Sequence, residues 1–373
     1  MNSAAPERPH YRASGYQMIN SIKIRNFRSF SDVKIDDCRR INIIVGENGS
    51  GKTALLEALY LAVGVSPDLV MRTRIWRGYD SARMSGTVED LHQALWADLF
   101  HKFQTNKRAV VSLKGSAEQT RSVTVTLHPA GKRLLKPPPR KRSGAPPKVV
   151  PHPSPIEFKW DIHGHGTIKV EPRFEGDKLI FDPVPPYHVK GSFFAANQAI
   201  STLETANRFS NLSRKFRHEE FIKSFNHLYE NITNLSVEVT AGSPMLFAVV
   251  NGLPEKIPLT LASGGMSKLA GILLAIPEQA GGVILIDEIE NGFYYRRLPM
   301  VWKAILDSAR AYNCQIFASS HSAECLNAVA AFAEESPDEF SVIRTVLKEG
   351  EVQVRQFGGD KFADAIAENI EIR

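Results

Sequence analysis

Residues Gly46–Thr53 read GENGSGKT, and they follow an apolar run, Ile41–Val45, of the length and composition of a buried strand. After them come Leu55, Leu56, Leu59, Ala62 and Val63, helically spaced and closing at Gly64. Strand, glycine-rich loop and helix in this order constrain the fold more than any other feature. The spacing G-x-x-x-x-G-K-[ST] wraps backbone N–H groups around phosphates at a helix N-terminus. Gly46, Gly49 and Gly51 permit dihedrals and close approaches that a Cβ would forbid, and Glu47, Asn48 and Ser50 complete the cradle. Lys52 is placed to reach the β and γ phosphates, and Thr53 to offer a hydroxyl to Mg²⁺. The expected ligand is a nucleoside triphosphate with magnesium. An ordinary glycine-rich turn is the competing reading, and it requires neither the strand nor the helix.

The chain has 373 residues, 43% hydrophobic and 23% charged, an ordinary globular balance. Its longest apolar stretches, Leu269–Pro277 and Val283–Ile286, fall well short of the roughly 20 residues that span a bilayer, so no membrane association is expected. Residues 1–17 have no apolar core or cleavage pattern and read as a flexible tail rather than a secretion signal, which points to the cytoplasm. Cys38, Cys314 and Cys325 have neither disulfide nor zinc-ligand spacing. The net charge of +6 is local: Gly131–Pro155 holds seven Lys and Arg residues and no acid, so the rest of the chain is close to neutral.

Ile19–Phe30 alternates as a half-exposed strand, and Asp32–Ile35 reads as a second. Between the loop helix and Leu259 no second nucleotide motif occurs. Val88–Phe103 is predicted helical; Ala109–Lys114 with Ser122–Leu127, and Glu157–Asp161 with Thr167–Glu171, are predicted as antiparallel strands. Gly131–Pro155 contains eight prolines and is expected to be a disordered basic loop, either a solvated linker or a contact for nucleic-acid phosphates. His163 and His165 have no third ligand nearby to make a metal site. Glu204–Leu235 is predicted mostly helical, with Phe209, Phe216, Phe221 and Phe225 read as core.

Three further signals follow Leu259. In LASGGMSKL, Ser263, Gly264 and Gly265 open an apolar helix expected to stop at Pro277, a geometry that favours an anion, although Ser-Gly-Gly is also a common turn. VILIDE, Val283–Glu288, is an apolar strand ending in two carboxylates: Asp287 is the candidate Mg²⁺ ligand, and Glu288 the candidate base for an attacking water. QIFASSH, Gln315–His321, is another buried strand, ending in a histidine that can address the γ-phosphate. Lys52, Glu288 and His321 are therefore the candidate catalytic residues.

Taken in order, NFRSF (Asn26–Phe30), GENGSGKT, LASGGMSKL, VILIDEIENG, ASSHS and a closing ENIEIR resemble the ABC-type ATPase heads of the SMC, RecF and OLD group, and most closely the compact ATPases of the AAA_15 and AAA_21 kind. The resemblance implies an α/β, two-lobed P-loop head with an antiparallel β-rich first lobe. It places the head in residues 18–65 and 194–373, with 66–193 as an insertion of helix and antiparallel strands that includes the basic loop 131–155. It also implies a homodimer or higher homo-oligomer in which the Ser263 loop of one copy closes over ATP held by Lys52 of another. Arg28 of NFRSF would then help hold the nucleotide, and Gln198 would be the magnesium-side glutamine. Asn291 stands where relatives carry a dimer-contacting aspartate. Only 52 residues follow His321, with no Asp-x-Asp pair, so any nuclease activity must come from a partner. They read as strands Ser341–Leu347 and Glu351–Phe357 and a helix over Asp360–Asn369.

Three functions compete on this reading. The first is an ATP-hydrolysing switch controlling an effector in trans, a nuclease or toxin, in phage defence or DNA repair. The second is a nucleotide-gated scaffold with little hydrolysis, against which Glu288 argues. A transporter motor is disfavoured by the long gap from Thr53 to Ser263.

Overall fold

The computed structural model of the protein describes residues 18–76, 95–115, 119–128, 152–153, 156–175, 178–181, 191–196 and 198–372. The expected tail 1–17 and nearly all of the basic loop 131–155 lie outside them. Strand β1 (Ile19–Phe27) turns at Arg28 and Ser29 into β2 (Phe30–Ile35). The second strand thus starts two residues before the expected Asp32, because Phe30 pairs with Phe27 across the turn. Then come β3 (Ile41–Val45), the glycine loop, α1 (Lys52–Val63) and α2 (Asp68–Trp76).

The next stretch supplies β4 (Ala109–Gly115), β5 (Thr120–Leu127), β6 (His152–Pro153), β7 (Ile156–Ile162), β8 (Gly166–Val170), β9 (Arg173–Glu175) and β10 (Lys178–Ile180). Residues 77–94 lie outside the described residues, so the expected Val88–Phe103 helix is seen only at its end. There the chain makes two short 3₁₀ turns, Ala97–Leu99 and His101–Phe103, with Lys102 and Phe103 at positive φ interrupting any helix.

The last portion holds β11 (Gly191–Phe194), α3 (Thr202–Arg214), α4 (His218–Leu228), β12 (Ile232–Thr240), β13 (Ser243–Val250), β14 (Ile257–Pro258), α5 (Leu259–Ala262), α6 (Gly264–Glu278), β15 (Val283–Ile286), α7 (Leu298–Ala311), β16 (Gln315–Ser319), α8 (Ala323–Glu335), β17 (Phe340–Lys348), β18 (Glu351–Gly358) and α9 (Gly359–Ala367). Three expectations are corrected here. Phe216, expected in the core, is exposed, because it follows the end of α3 in a left-handed turn conformation. Ile232–Leu235 is strand, because it pairs with β13 and buries Ile232 and Leu235 on one side. Pro277 lies inside the last turn of α6, and the ladder resumes beyond it through Gln279 N–H to Ala275 O at 2.9 Å.

Two six-stranded sheets organise these elements. The first, ordered β2-β1-β4-β5-β7-β8, is antiparallel throughout, so strands from the 66–193 stretch extend the sheet begun by the first hairpin. The second, ordered β11-β15-β16-β3-β17-β18, is parallel apart from its last strand. The result is the α/β fold with an antiparallel first lobe that the sequence motifs imply.

Parallel strands are covered on both faces and read as continuous apolar runs. In β15, Val283 and Leu285 face one core with α1 and the first sheet, whereas Ile284 and Ile286 face a second core with α6, α7 and α8. Each of these buried side chains contributes roughly 1.5–3 kcal/mol, enough to hold the strand in place while it carries a nearly buried Asp287 at its end.

Helix α1 lies between the two sheets and is buried along almost its whole length, not only on one stripe. Its final carbonyls, which have no partner within the helix, are met from the first sheet. Trp160 Nε1 donates to Leu61 O at 3.0 Å, and an Arg121 guanidinium N–H to Val63 O at 2.7 Å. No helix among the described residues is long and apolar enough to cross a membrane.

Candidate phosphate and hydrolysis site

The glycine loop leaves β3 with φ of 146° at Gly46, 79° at Gly49 and 101° at Gly51, a region that side chains disfavour. A Cβ on Gly46 would stand 2.3 Å from Thr345 O, and one on Gly51 would stand 2.9 Å from Ser29 Oγ. At these two positions glycine is required by the protein's own walls as well as by any ligand. Those walls come from opposite ends of the chain, the β1–β2 turn and β17. Ser50 and Thr345 share a hydroxyl–hydroxyl hydrogen bond of 2.7 Å, and Thr345 Oγ1 donates to Val45 O at 3.2 Å.

Lys52 opens α1, only 7% exposed, and its ammonium donates to Gly46 O at 2.6 Å and Glu47 O at 2.9 Å. It therefore lies along the inside of the loop. Burial pushes its pKa below the ordinary lysine value, opposed by Asp287, Glu288 and Glu290. A cation with that many nearby carboxylates stays charged more readily than its burial alone would allow.

Parallel pairing of β3, β16 and β15 brings three strand ends to the same edge. Thr53 Oγ1 donates to Asp287 Oδ2 at 2.9 Å, and Ser319 Oγ donates to Asp287 Oδ1 at 2.5 Å. The same Ser319 oxygen accepts the Glu288 N–H at 2.8 Å. Glu288 has φ of 45°, and Asn291 Nδ2 donates to its Oε2 at 2.6 Å. His321 Nδ1 stands 3.9 Å from Glu288 Oε1 and 3.4 Å from Glu290 Oε1. Glu290 Oε1 also accepts the N–H groups of His321 at 2.9 Å and Ser322 at 3.2 Å.

Lys52, Thr53, Asp287, Glu288 and His321 are thus linked by this one strand edge. Gln198 follows β11, whose Phe194 pairs with Ile286, so it leaves the sheet one strand over; its N–H bonds Ala195 O at 3.3 Å. Ser263 precedes α6 with an extended backbone, Gly264 is exposed and Gly265 packs against Gly292. No hydrogen bond among the described residues joins this segment to the glycine loop. Arg28 is directed elsewhere: its guanidinium pairs with Glu57 on α1 at 3.1 Å and with Asp98, inside a buried group that also contains Arg74.

Sequence reasoning missed Ser319, Glu290, Thr345 and Lys268. Lys268 is nearly buried on α6, its pKa pushed down to about 8 chiefly by burial, with Glu290, Asp287 and Glu288 opposing. Ser319 sits in plain view at the end of QIFAS, but its partners depend on strand order.

The donor set fits a magnesium-bound triphosphate: a cradle of left-handed glycines, a buried lysine, and a hydroxyl beside a carboxylate as hard oxygen ligands. Comparison with known proteins agrees. The AAA ATPase domain model AAA_15 matches residues 18–103. The AAA domain model AAA_21, whose description includes a Type IV TA system, matches residues 174–327.

An ATP/GTP phosphatase of Helicobacter pylori is 26% identical over 338 residues, covering 82% of this chain and 86% of that protein. A RecF DNA replication and repair protein of Idiomarina loihiensis is 54% identical over 43 residues, only 12% of each chain. A Rad50 double-strand break repair ATPase of Methanopyrus kandleri is 34% identical over 91 residues, 24% of this chain and 10% of that one. In fold, the chain is similar to a solved SMC head bound to the C-winged helix domain of ScpA, with TM-score 0.51 and 12% identity over 94% of this chain and 99% of that one. Motif order, two-lobed α/β fold, glycine cradle and these matches together mark the chain as an ATPase similar to the ABC-type ATPases of the SMC/RecF kind.

Proposed function

We propose that the protein is a nucleotide-driven switch: two copies enclose ATP, hydrolysis releases them, and the change controls an effector in trans. The observation that carries this reading is the Thr53–Asp287–Ser319–Glu288 chain of hydrogen bonds at one strand edge. Loop N–H groups and Lys52 bind the triphosphate. Thr53 and Asp287, with Gln198 from the neighbouring strand end, would hold magnesium, which supplies charge neutralisation on the phosphoryl oxygens. Glu288 takes a proton from water as the water oxygen attacks the terminal phosphorus. The bond to the β-phosphate oxygen then breaks, giving ADP and phosphate. His321 steadies the water and the terminal phosphate from the end of β16.

Among the described residues, the Ser263–Gly265 segment has no hydrogen bond to the glycine loop in its own chain, and its exposed Gly264 backbone heads a helix. Both features suit it to close on nucleotide held by a second copy. The similarity to RecF, a DNA replication and repair protein, and to the AAA_21 domain, whose description includes a Type IV TA system, supports a setting in DNA repair or phage defence with a nuclease or toxin as effector. The basic 131–155 stretch is a candidate nucleic-acid contact, and a cytoplasmic location fits this setting.

Sedimentation of Glu288→Gln with magnesium and ATP tests the switch. A nucleotide-dependent dimer is expected, abolished by adding Lys52→Ala. A monomer under all conditions contradicts the shared site. Turnover unchanged in Glu288→Gln would favour the scaffold with little hydrolysis.

A further inference from the structure

The turn from Glu288 to Gly292 is held on one side by α6. Lys268, about one turn into that helix, points its ammonium at three backbone carbonyls of the turn: Glu288 O at 2.8 Å, Asn291 O at 3.3 Å and Ile289 O at 3.4 Å. An ammonium has three N–H donors and no acceptor, so this group can engage all three. The turn needs such a tether. Glu288 is left-handed at φ 45°, a strained conformation for a bulky residue that persists only when its surroundings over-determine it.

A second contact lies one helical turn earlier: a Cβ on Gly265 would meet Gly292 O at 2.2 Å, so helix start and turn touch backbone to backbone. Between the anchored carbonyls, Asn291 Nδ2 grips Glu288 Oε2 at 2.6 Å. The direction of the Glu288 carboxylate therefore depends on a turn bonded to the helix that begins at Ser263.

We propose that Lys268 is a positioning residue for hydrolysis, tying α6 to the Glu288 turn so that engagement of the Ser263–Gly265 segment by nucleotide sets the aim of the water-priming carboxylate. This rests on the reading of Glu288 as the base. In a pair of copies it makes each subunit's hydrolytic carboxylate responsive to the nucleotide that its own α6 covers, a route of communication from one site to the other.

The test is steady-state ATP hydrolysis and equilibrium ATP binding by the full chain carrying Lys268→Met, which keeps the stem and removes donors and charge. A misaimed base costs about tenfold to a hundredfold in kcat, while the Kd for ATP, set by the glycine loop and Lys52, stays within about twofold of wild type. In a Glu288→Gln background the same substitution causes no further loss, a non-additivity that general destabilisation would not produce. Should the methionine variant fold poorly, Lys268→Gln, which retains donors on a shorter stem, is expected to show a smaller fall in kcat with unchanged Kd. Wild-type kcat in either folded variant, or a rise in Kd with kcat unchanged, overturns the proposal. Wild-type turnover in Glu288→Gln alone would instead remove the underlying reading, so the two failures are distinguishable.

Discussion

Ser319 donates to the Asp287 carboxylate at 2.5 Å and accepts the Glu288 N–H at 2.8 Å, so a single hydroxyl on β16 sets the directions of two successive acids on β15. Replacing it leaves the Glu288 N–H and one Asp287 oxygen without these bonds. Ser319→Ala is expected to lower kcat about tenfold and to destabilise the fold by about 1–3 kcal/mol, the usual cost of an unsatisfied buried polar group. Steady-state kinetics and urea unfolding of the variant check both. Full activity would mean that the two acids hold their places without it.

Gly46 is the most sterically confined of the loop glycines. Gly46→Ala places a methyl group 2.3 Å from Thr345 O at a φ of 146°, so the loop must move away from β17. The expected result is loss of ATP binding by at least about a hundredfold, given that backbone placement within roughly 1 Å decides such contacts. Isothermal titration with ATP measures it, and near-native affinity would contradict the geometry.

Arg28 separates two roles. Its sequence context suggests contact with nucleotide, whereas its guanidinium pairs with Glu57 at 3.1 Å, with side chains 7% and 4% exposed. Arg28→Met removes one member of a buried ion pair and is expected to cost about 3–5 kcal/mol of stability. Folded protein at low temperature should bind ATP with little change. Weakened binding without destabilisation would restore the nucleotide-contact role.

Acid sensitivity should concentrate at Glu351. Lys102 first, then Ser31 and His101, hold its pKa down to about 2, from 4.5 in a free side chain. The folded state thus keeps this carboxylate ionised where the unfolded chain protonates it. Its stabilising contribution is complete above pH 4.5 and disappears as pH falls toward about 2. The gap in urea midpoint between wild type and Glu351→Gln should therefore narrow across that interval. A gap that does not change there would contradict the ion pair.

Local motifs were legible because their physics is local. The glycine loop, the runs Val283–Ile286 and Gln315–Ser319, and the β17–β18 hairpin all appear where expected. In that hairpin, Glu349 and Gly350 both adopt positive φ, as a two-residue turn requires. Pairings made far apart in sequence were not legible. Nothing local says that Ala109–Gly115 pairs with β1, or that Trp160 and Arg121 finish the carbonyl end of α1. Nothing in the local sequence marks Lys268 and Glu290 as inward-facing; the crossing of α6 over the turn after β15 turns them inward. The spacing before Ile232–Leu235 favours helix through these residues; pairing with β13 overrides that local preference.

The outer wall of the glycine loop has a consequence for biosynthesis. Ser50 and Thr345 are 295 residues apart. At about 5–20 residues per second, the ribosome emits the loop some 15–60 s before the strand that must lean on it. A nascent chain therefore carries the GENGSGKT letters without a finished grip on triphosphate, and the ability to bind fuel arrives late in translation, together with the final hairpin.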